Sequence, residues 1–223
     1  MPENTSATAL PLLPALTAQA ERLIELGVHT IAGLPAAEVR TFAAAAGTPA
    51  GHSALLAVHP DRAPASALAP LLHRDGRPGF VVTDMTDADL FSPLDTIELP
   101  DAPLYFLTGL DRGDRMANWS PDEALPALAA EARTPLLLTE GIHWVMQQPA
   151  ALERNHCFMT IGSRLRKDNG ALDARTPAIW ISNGTGRDGR ERRNAPKIGW
   201  CWAGNRHTWL GFASATDRRG QHL

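Results

Sequence analysis

Ile198-Gly-Trp-Cys-Trp-Ala-Gly-Asn-Arg-His-Thr-Trp-Leu-Gly-Phe212 holds three of the chain's six tryptophans. Gly204-Asn205 is a two-residue turn signal, because both residues accept the positive φ that a tight reversal between strands needs. A reversal there pairs Ala203 with Arg206, Trp202 with His207, Cys201 with Thr208 and Trp200 with Trp209. Side chains alternate along a strand, and directly opposed residues share a face. The expectation is a C-terminal β-hairpin with Trp200, Trp202, His207 and Trp209 on one face and Cys201, Thr208 and Leu210 on the other. Three indoles beside an imidazole have two readings. One is a packed aromatic face that closes the core, each N–H satisfied locally. The other is the wall of a small-molecule pocket in which His207 supplies an acid, a base or a hydrogen bond.

Upstream of the hairpin, short apolar runs alternate with Pro/Gly punctuation. Ala54–Val58, Gly79–Thr83, Leu104–Thr108, Phe158–Ile161 and Ala178–Ser182 read as strands, several apolar throughout and hence central. A helix interrupts them at Pro121–Ala132. Ser120 and Glu123 there have capping-box spacing, and Pro121 occupies the first turn. Another helix is expected over Thr139–Gln147 with Thr139 as its cap, and a short one around Ser66–Leu72. Further out, Leu16, Ala20, Leu23 and Ile24 form one helical stripe over Pro14–Leu26, stopped at Gly27. Val39, Phe42 and Ala46 do the same over Pro35–Ala46. The fold class is therefore α+β, a mostly antiparallel or mixed sheet with an N-terminal helical hairpin. Residues 1–9 read as a disordered start, 10–50 as the helical hairpin and 51–223 as the α+β body. The Gly- and Arg-rich stretch 184–194 reads as an exposed, mobile loop.

Composition narrows the function classes. Hydrophobic residues make up 44% and charged residues 20%, enough apolar surface for a real core. The net charge of −3 argues against a nucleic-acid binder. No run approaches the roughly 20 apolar residues needed to span a bilayer. Two cysteines, Cys157 and Cys201, are too few for a disulfide scaffold, so a cytoplasmic setting with free thiols is expected. No glycine-rich dinucleotide or Walker loop is present. His156, Cys157, Cys201 and His207 are zinc-compatible types without zinc-site spacing, and a single haem ligand leaves no spacing signature. The sequence therefore assigns no cofactor and no metal, and it gives no oligomeric state.

Other candidates lie just past strand ends, where a rigid sheet positions loop side chains. Asp111 and Arg112 follow Leu104–Thr108, and Arg112 has the fork to clamp a carboxylate or phosphate. Arg164 follows Phe158–Ile161. Lys197, one of only two lysines, stands at the start of the hairpin. Asp84, Asp87 and Asp89 match no calcium loop and read as a solvated turn. Glu140 falls in the first turn of a helix, where the dipole favours its charge.

Pro78-Gly-Phe-Val-Val82, Leu110-Asp-Arg-Gly113, Ser120-Pro-Asp-Glu-Ala-Leu-Pro126, the Trp-Cys-Trp-Ala-Gly-Asn run from Trp200 to Asn205, and His207-Thr-Trp-Leu-Gly211 resemble an uncharacterised family of actinobacterial proteins. The resemblance spans most of the chain. It implies an actinobacterial cytosolic source and leaves the mechanism open. Two functions follow from the residues. The first is a small-molecule enzyme, of specialised metabolism, with a pocket beside the hairpin. In it His207 and Asp111 are the catalytic candidates, and Arg112, Arg164, Lys197, Trp200, Trp202 and Trp209 bind the substrate. The second is a non-catalytic binding or regulatory module that uses the aromatic face and the 184–194 loop.

Overall fold

A computed structural model describes residues 12–46 and 53–220. The expected disordered start, 1–9, lies outside the described residues. The N-terminal stripes form α1 (Leu16–Glu25) and α2 (Ala36–Ala46), which lie side by side and bury Leu16, Ala20, Leu23, Val39 and Phe42. A single helical turn, Val28–Ile31, separates them. Two longer helices are α3 (Pro121–Ala130) and α4 (Leu138–Gln147), and the short helix expected around Ser66–Leu72 forms as one turn, Ala65–Leu68, that continues as a 3₁₀ turn, Ala69–Leu71. The capping box of α3 forms as its spacing requires: Glu123 N donates to Ser120 Oγ, and Ser120 N donates to the Glu123 carboxylate.

The strands of the two main sheets are β1 (Ala54–Val58), β2 (Phe80–Val81), β3 (Leu104–Thr108), β4 (Cys157–Met159), β5 (Arg175–Ile181), β6 (Pro196–Trp202), β7 (Leu210–Phe212) and β8 (Asp217–Gly220). The smaller sheet has the order β1-β3-β8 and is antiparallel throughout. The larger has the order β7-β4-β5-β6-β2. In it β5 is antiparallel to both neighbours, while β7 and β2 add in parallel at the two edges. The protein is thus α+β with antiparallel and mixed sheets.

All ten residues of α4 are buried, because the helix runs between the sheets. Gly141 permits its approach to the larger one: a Cβ there would sit 2.6 Å from Thr160 Cγ2 and 3.0 Å from Ile179 Cδ1. Polar side chains fasten α4 to the smaller one. Glu140 accepts from Arg218 Nε at 2.6 Å and Nη2 at 2.7 Å, and from the Tyr105 hydroxyl at 2.8 Å. It also accepts from Leu137 N at 2.7 Å, so Glu140 rather than Thr139 caps this helix. The edge of β1 is closed by buried Gln19, which accepts from Leu56 N at 2.9 Å and donates to Ala54 O at 2.6 Å.

The expected C-terminal hairpin does not form. β6 pairs over its whole length with β5, Trp200 facing Pro177 and Lys197 facing Trp180. β7 lies across the sheet, beside β4. The reversal that makes the tryptophan strand a hairpin arm is the 182–195 loop. A turn does follow Trp202, closed by Asn205 N donating to Trp202 O at 3.0 Å, so it centres on Ala203-Gly204. The chain beyond it is drawn elsewhere by backbone bonds: Ala203 N donates to Ala174 O, Asp122 N donates to Ala203 O, and Asn118 N donates to His207 O. Seven paired residues outweigh one local turn, because each ladder position satisfies backbone groups that would otherwise be buried unpaired.

The 184–194 stretch, expected as a loose loop, folds as two short 3₁₀ turns, Gly186–Asp188 and Arg190–Arg192. Buried Asp188 ties it down by accepting from Ser182 Oγ at 2.7 Å and Lys197 Nζ at 2.8 Å.

Candidate functional site

One face of the larger sheet carries Cys157, Met159, Ala178, Trp180 and Cys201 by alternation from the observed register. Part of this face packs on α3 in a small apolar cluster. The rest is roofed by the 203–209 segment, and a cavity of about 430 Å³ lies beneath, within the range of ligand pockets. Trp180, Trp200 and Trp209 line it, together with His207, Cys157 and Cys201. Asn155 and Asn183 contribute amides at its margin, and His156 an imidazole. No Asp, Glu, Lys or Arg among the described residues lines it.

The His207 ring stacks on Trp209, with centroids 4.6 Å apart and planes 19° off parallel. None of the described residues hydrogen-bonds to its ring nitrogens. Trp180 is fixed in another way. Gly199, diagonally across on β6, leaves room for its indole, since a Cβ at 199 would sit 2.5 Å from Trp180 Cη2. Lys197 Nζ lies over the same ring, 4.9 Å from its centroid. His156 stands by a carboxylate, Nδ1 to Asp114 Oδ1 at 3.6 Å, with that nitrogen otherwise unpartnered among the described residues.

The two thiols are held protonated. Burial, and then the neighbouring Cys201, push Cys157 up to about 12, and burial raises Cys201 as well. Neither is a thiolate near neutrality, so neither has the charge state of an activated nucleophile. Among the described residues no three His, Cys, Asp or Glu side chains are grouped to hold a metal ion.

The residues singled out from sequence divide. Trp209 and His207 meet at the cavity, and Trp200 borders it from β6 although alternation puts its indole on the opposite sheet face, with Trp202. Trp202 shares a face of β6 with Trp200, its ring 4.5 Å away and edge-on, but it points outward, 47% exposed, and does not line the cavity. The grouping of indoles with His207 therefore arises by a different route from the hairpin face, with Cys201 inside the cavity and Trp202 outside it. Lys197 stands behind Trp180, paired to Asp188. Asp111 and Arg112 are elsewhere. Asp111 accepts from Gly113 N and Arg115 and bridges Ser214 through its backbone. Arg112 is buried among Asp114, Glu153 and the Ala151 carbonyl. Arg164 is buried too, donating from Nη2 to Asp173 O at 2.8 Å while its Nε has no partner among the described residues. The three acids of the 84–89 turn go to three places: Asp84 to Arg187, Asp87 to Arg175 and Asp89 to Ser66.

Trp180 was not legible as a site residue, and His156 was weighed only as a zinc-compatible type. Trp180 shares the two-residue period with Ala178, so alternation alone places them together. Only the pairing of β5 with β6 shows that this face is the open one.

The fold and cavity define a mixed α+β protein with an aromatic, uncharged pocket on one sheet face. The chain belongs to a family of unknown function, DUF5701, whose model matches residues 22–221. No curated protein and no solved structure matches it.

Proposed function

We propose that this protein binds a flat, uncharged organic group in the aromatic cavity and acts on it by proton transfer, as an enzyme of small-molecule, specialised metabolism in the cytoplasm. One observation carries the reading. Trp180, Trp209 and His207 converge on a cavity with no charged lining, and His207 keeps both ring nitrogens free of partners among the described residues. Indole faces recognise planar groups by stacking, worth about 0.5–1.5 kcal/mol per ring pair beyond area burial. Imidazole is the side chain suited to moving a proton near neutral pH. The protonated thiols speak against a cysteine nucleophile at the same place. Two unpaired thiols suit a reducing compartment.

Fluorescence titration with two flat neutral compounds, 1-naphthol and adenosine, tests the binding. Quenching that saturates, and that weakens about tenfold or more in Trp209→Ala, is expected; no saturable quenching by either compound removes the reading. His207→Ala then tests the chemistry in a turnover assay: unchanged turnover by a folded variant removes its acid–base role.

A second reading, a binding or regulatory module, is favoured by Trp202 and Trp209, which stand 47% and 50% exposed. In that case a partner protein covers these indoles, and His207→Ala leaves the protein's activity unaltered.

A further inference from the structure

A second cavity, about 380 Å³, lies on the same sheet face as the aromatic one, over β6 and the residues after β2. Arg187, Arg192 and Lys197 line it, with Asp84 and Asp188. The two cavities share a partition. Trp180 belongs to the first and Lys197 to the second, and the ammonium sits over the indole. They also share the 182–195 loop, since Asn183 lines the first and Thr185 the second.

Charge separates them sharply. The first has no ionised lining; the second has three cations against two carboxylates. Lys197 is committed to Asp188, which is buried and also takes the Ser182 hydroxyl. Arg187 pairs with Asp84 at 3.2 Å, with 78% and 44% of the side chains exposed, a contact that water and salt weaken. Arg192 has no carboxylate within ion-pair distance among the described residues. Its guanidinium lies over the Phe80 ring, 4.5 Å from the centroid. Held that way, it presents a planar fork of donors suited to an oxyanion.

Resting on the aromatic-cavity reading, we infer that this second cavity is an anion subsite of the same binding site, and that the full ligand is a flat ring joined by a short linker to a phosphate group. The ring stacks at Trp180 and Trp209. The phosphate takes the Arg192 fork and the Arg187 guanidinium, displacing Asp84 from the latter, while Lys197 adds positive potential from behind Trp180.

Two matched pairs of probes test this: 1-naphthol against 1-naphthyl phosphate, and adenosine against adenosine 5′-monophosphate. Binding is followed by tryptophan fluorescence at low salt. The phosphorylated member of each pair is expected to bind at least tenfold tighter than its parent. Arg192→Gln and Arg187→Gln should each erase most of that advantage and leave the parent's affinity unchanged. Asp84→Asn, which frees Arg187, should enlarge it several-fold. Equal affinities within both pairs overturn the anion subsite and leave the ring site standing. An advantage that survives both arginine substitutions overturns it as well, because the phosphate then binds elsewhere. If neither parent nor phosphate binds, the aromatic-cavity reading itself fails and this inference with it.

Discussion

Glu140 is completely buried, and Arg218, which it meets in a bidentate pair, is nearly so. Removing two charges from water is unfavourable, so the pair persists only because every polar atom is satisfied. Arg218 also reaches Thr134 Oγ1 and Pro135 O, and Glu140 also takes Tyr105 and Leu137 N. Glu140→Gln keeps the shape but leaves a buried cation without its counter-charge. The expected loss is about 3–5 kcal/mol, read as a lower midpoint in urea unfolding. Burial also sends the Tyr105 hydroxyl well above its usual value, with the Glu140 charge adding to it.

His143 sits one helical turn from Thr139, its Nδ1 2.7 Å from that carbonyl and its Nε2 accepting from Val58 N at 3.4 Å. Burial depresses its pKa, against the smaller opposing pulls of the Thr139 carbonyl and the Glu140 charge. The unfolded chain therefore takes up a proton near pH 6.5 that the folded chain refuses. Stability is expected to fall as pH drops below about 6.5. His143→Gln, which keeps an acceptor for Val58 N, should flatten the decline in Tm between pH 7 and pH 5. Cys157 gives the opposite sign. Its folded value is raised, so its contribution is intact below the ordinary thiol range and is lost as pH rises towards about 12. Iodoacetamide should accordingly label Cys157 slowly in the native protein and rapidly in urea at the same pH. None of these environments was legible in sequence. Glu140 reads there as a first-turn carboxylate, because its partner is 78 positions away.

At the scale of elements, two glycines decide how closely neighbours approach. Gly141→Ala gains about 1 kcal/mol of helix propensity. It also drives a methyl group into Thr160 and Ile179, and overpacking of this kind costs about 1–3 kcal/mol. Overpacking outweighs the propensity gain here, because the nearest obstructing atom belongs to a short, buried threonine that has little room to move. Net destabilisation by calorimetry is therefore expected. Gly199→Ala acts on function instead. It should push the Trp180 indole towards the cavity, shift tryptophan emission and weaken 1-naphthol binding, with the circular dichroism unchanged.

The apolar strands β1 and β3, the stripe of α1 and the capping box of α3 were all legible, because each is encoded within a few residues of itself. The hairpin was not. Gly204-Asn205 carries a real turn preference, but β6 finds a longer partner in β5 across the 182–195 loop, and β7 crosses to β4. Local turn chemistry thus set a bend and not a pairing. His207 and Trp209 still reached the cavity because the segment that holds them folds back over the same sheet face. Arg175 and Lys197, by contrast, needed the sheet register to reveal Asp87 and Asp188.

Across the whole molecule, the six tryptophans fall into distinct environments. Trp144 is 2% exposed, whereas Trp119, Trp202 and Trp209 are 42%, 47% and 50% exposed. Acrylamide quenching should therefore be heterogeneous, with a blue-shifted residual emission from Trp144. A single quenching constant would contradict this arrangement. No helix among the described residues is long and apolar enough to cross a membrane.

Residues 210–220 finish both sheets. β7 edges the larger, β8 edges the smaller, and Ser214–Ala215 pairs with Thr134–Pro135 between them. Arg218, the counter-charge for Glu140, belongs to the same stretch. During synthesis, the buried Glu140 carboxylate must wait for this stretch before its charge is neutralised. A ribosome-bound nascent chain that stops short of Leu210 should therefore hold its helices yet remain open to protease along β3 and β4. Protection should arrive in one step when the final strands clear the exit tunnel.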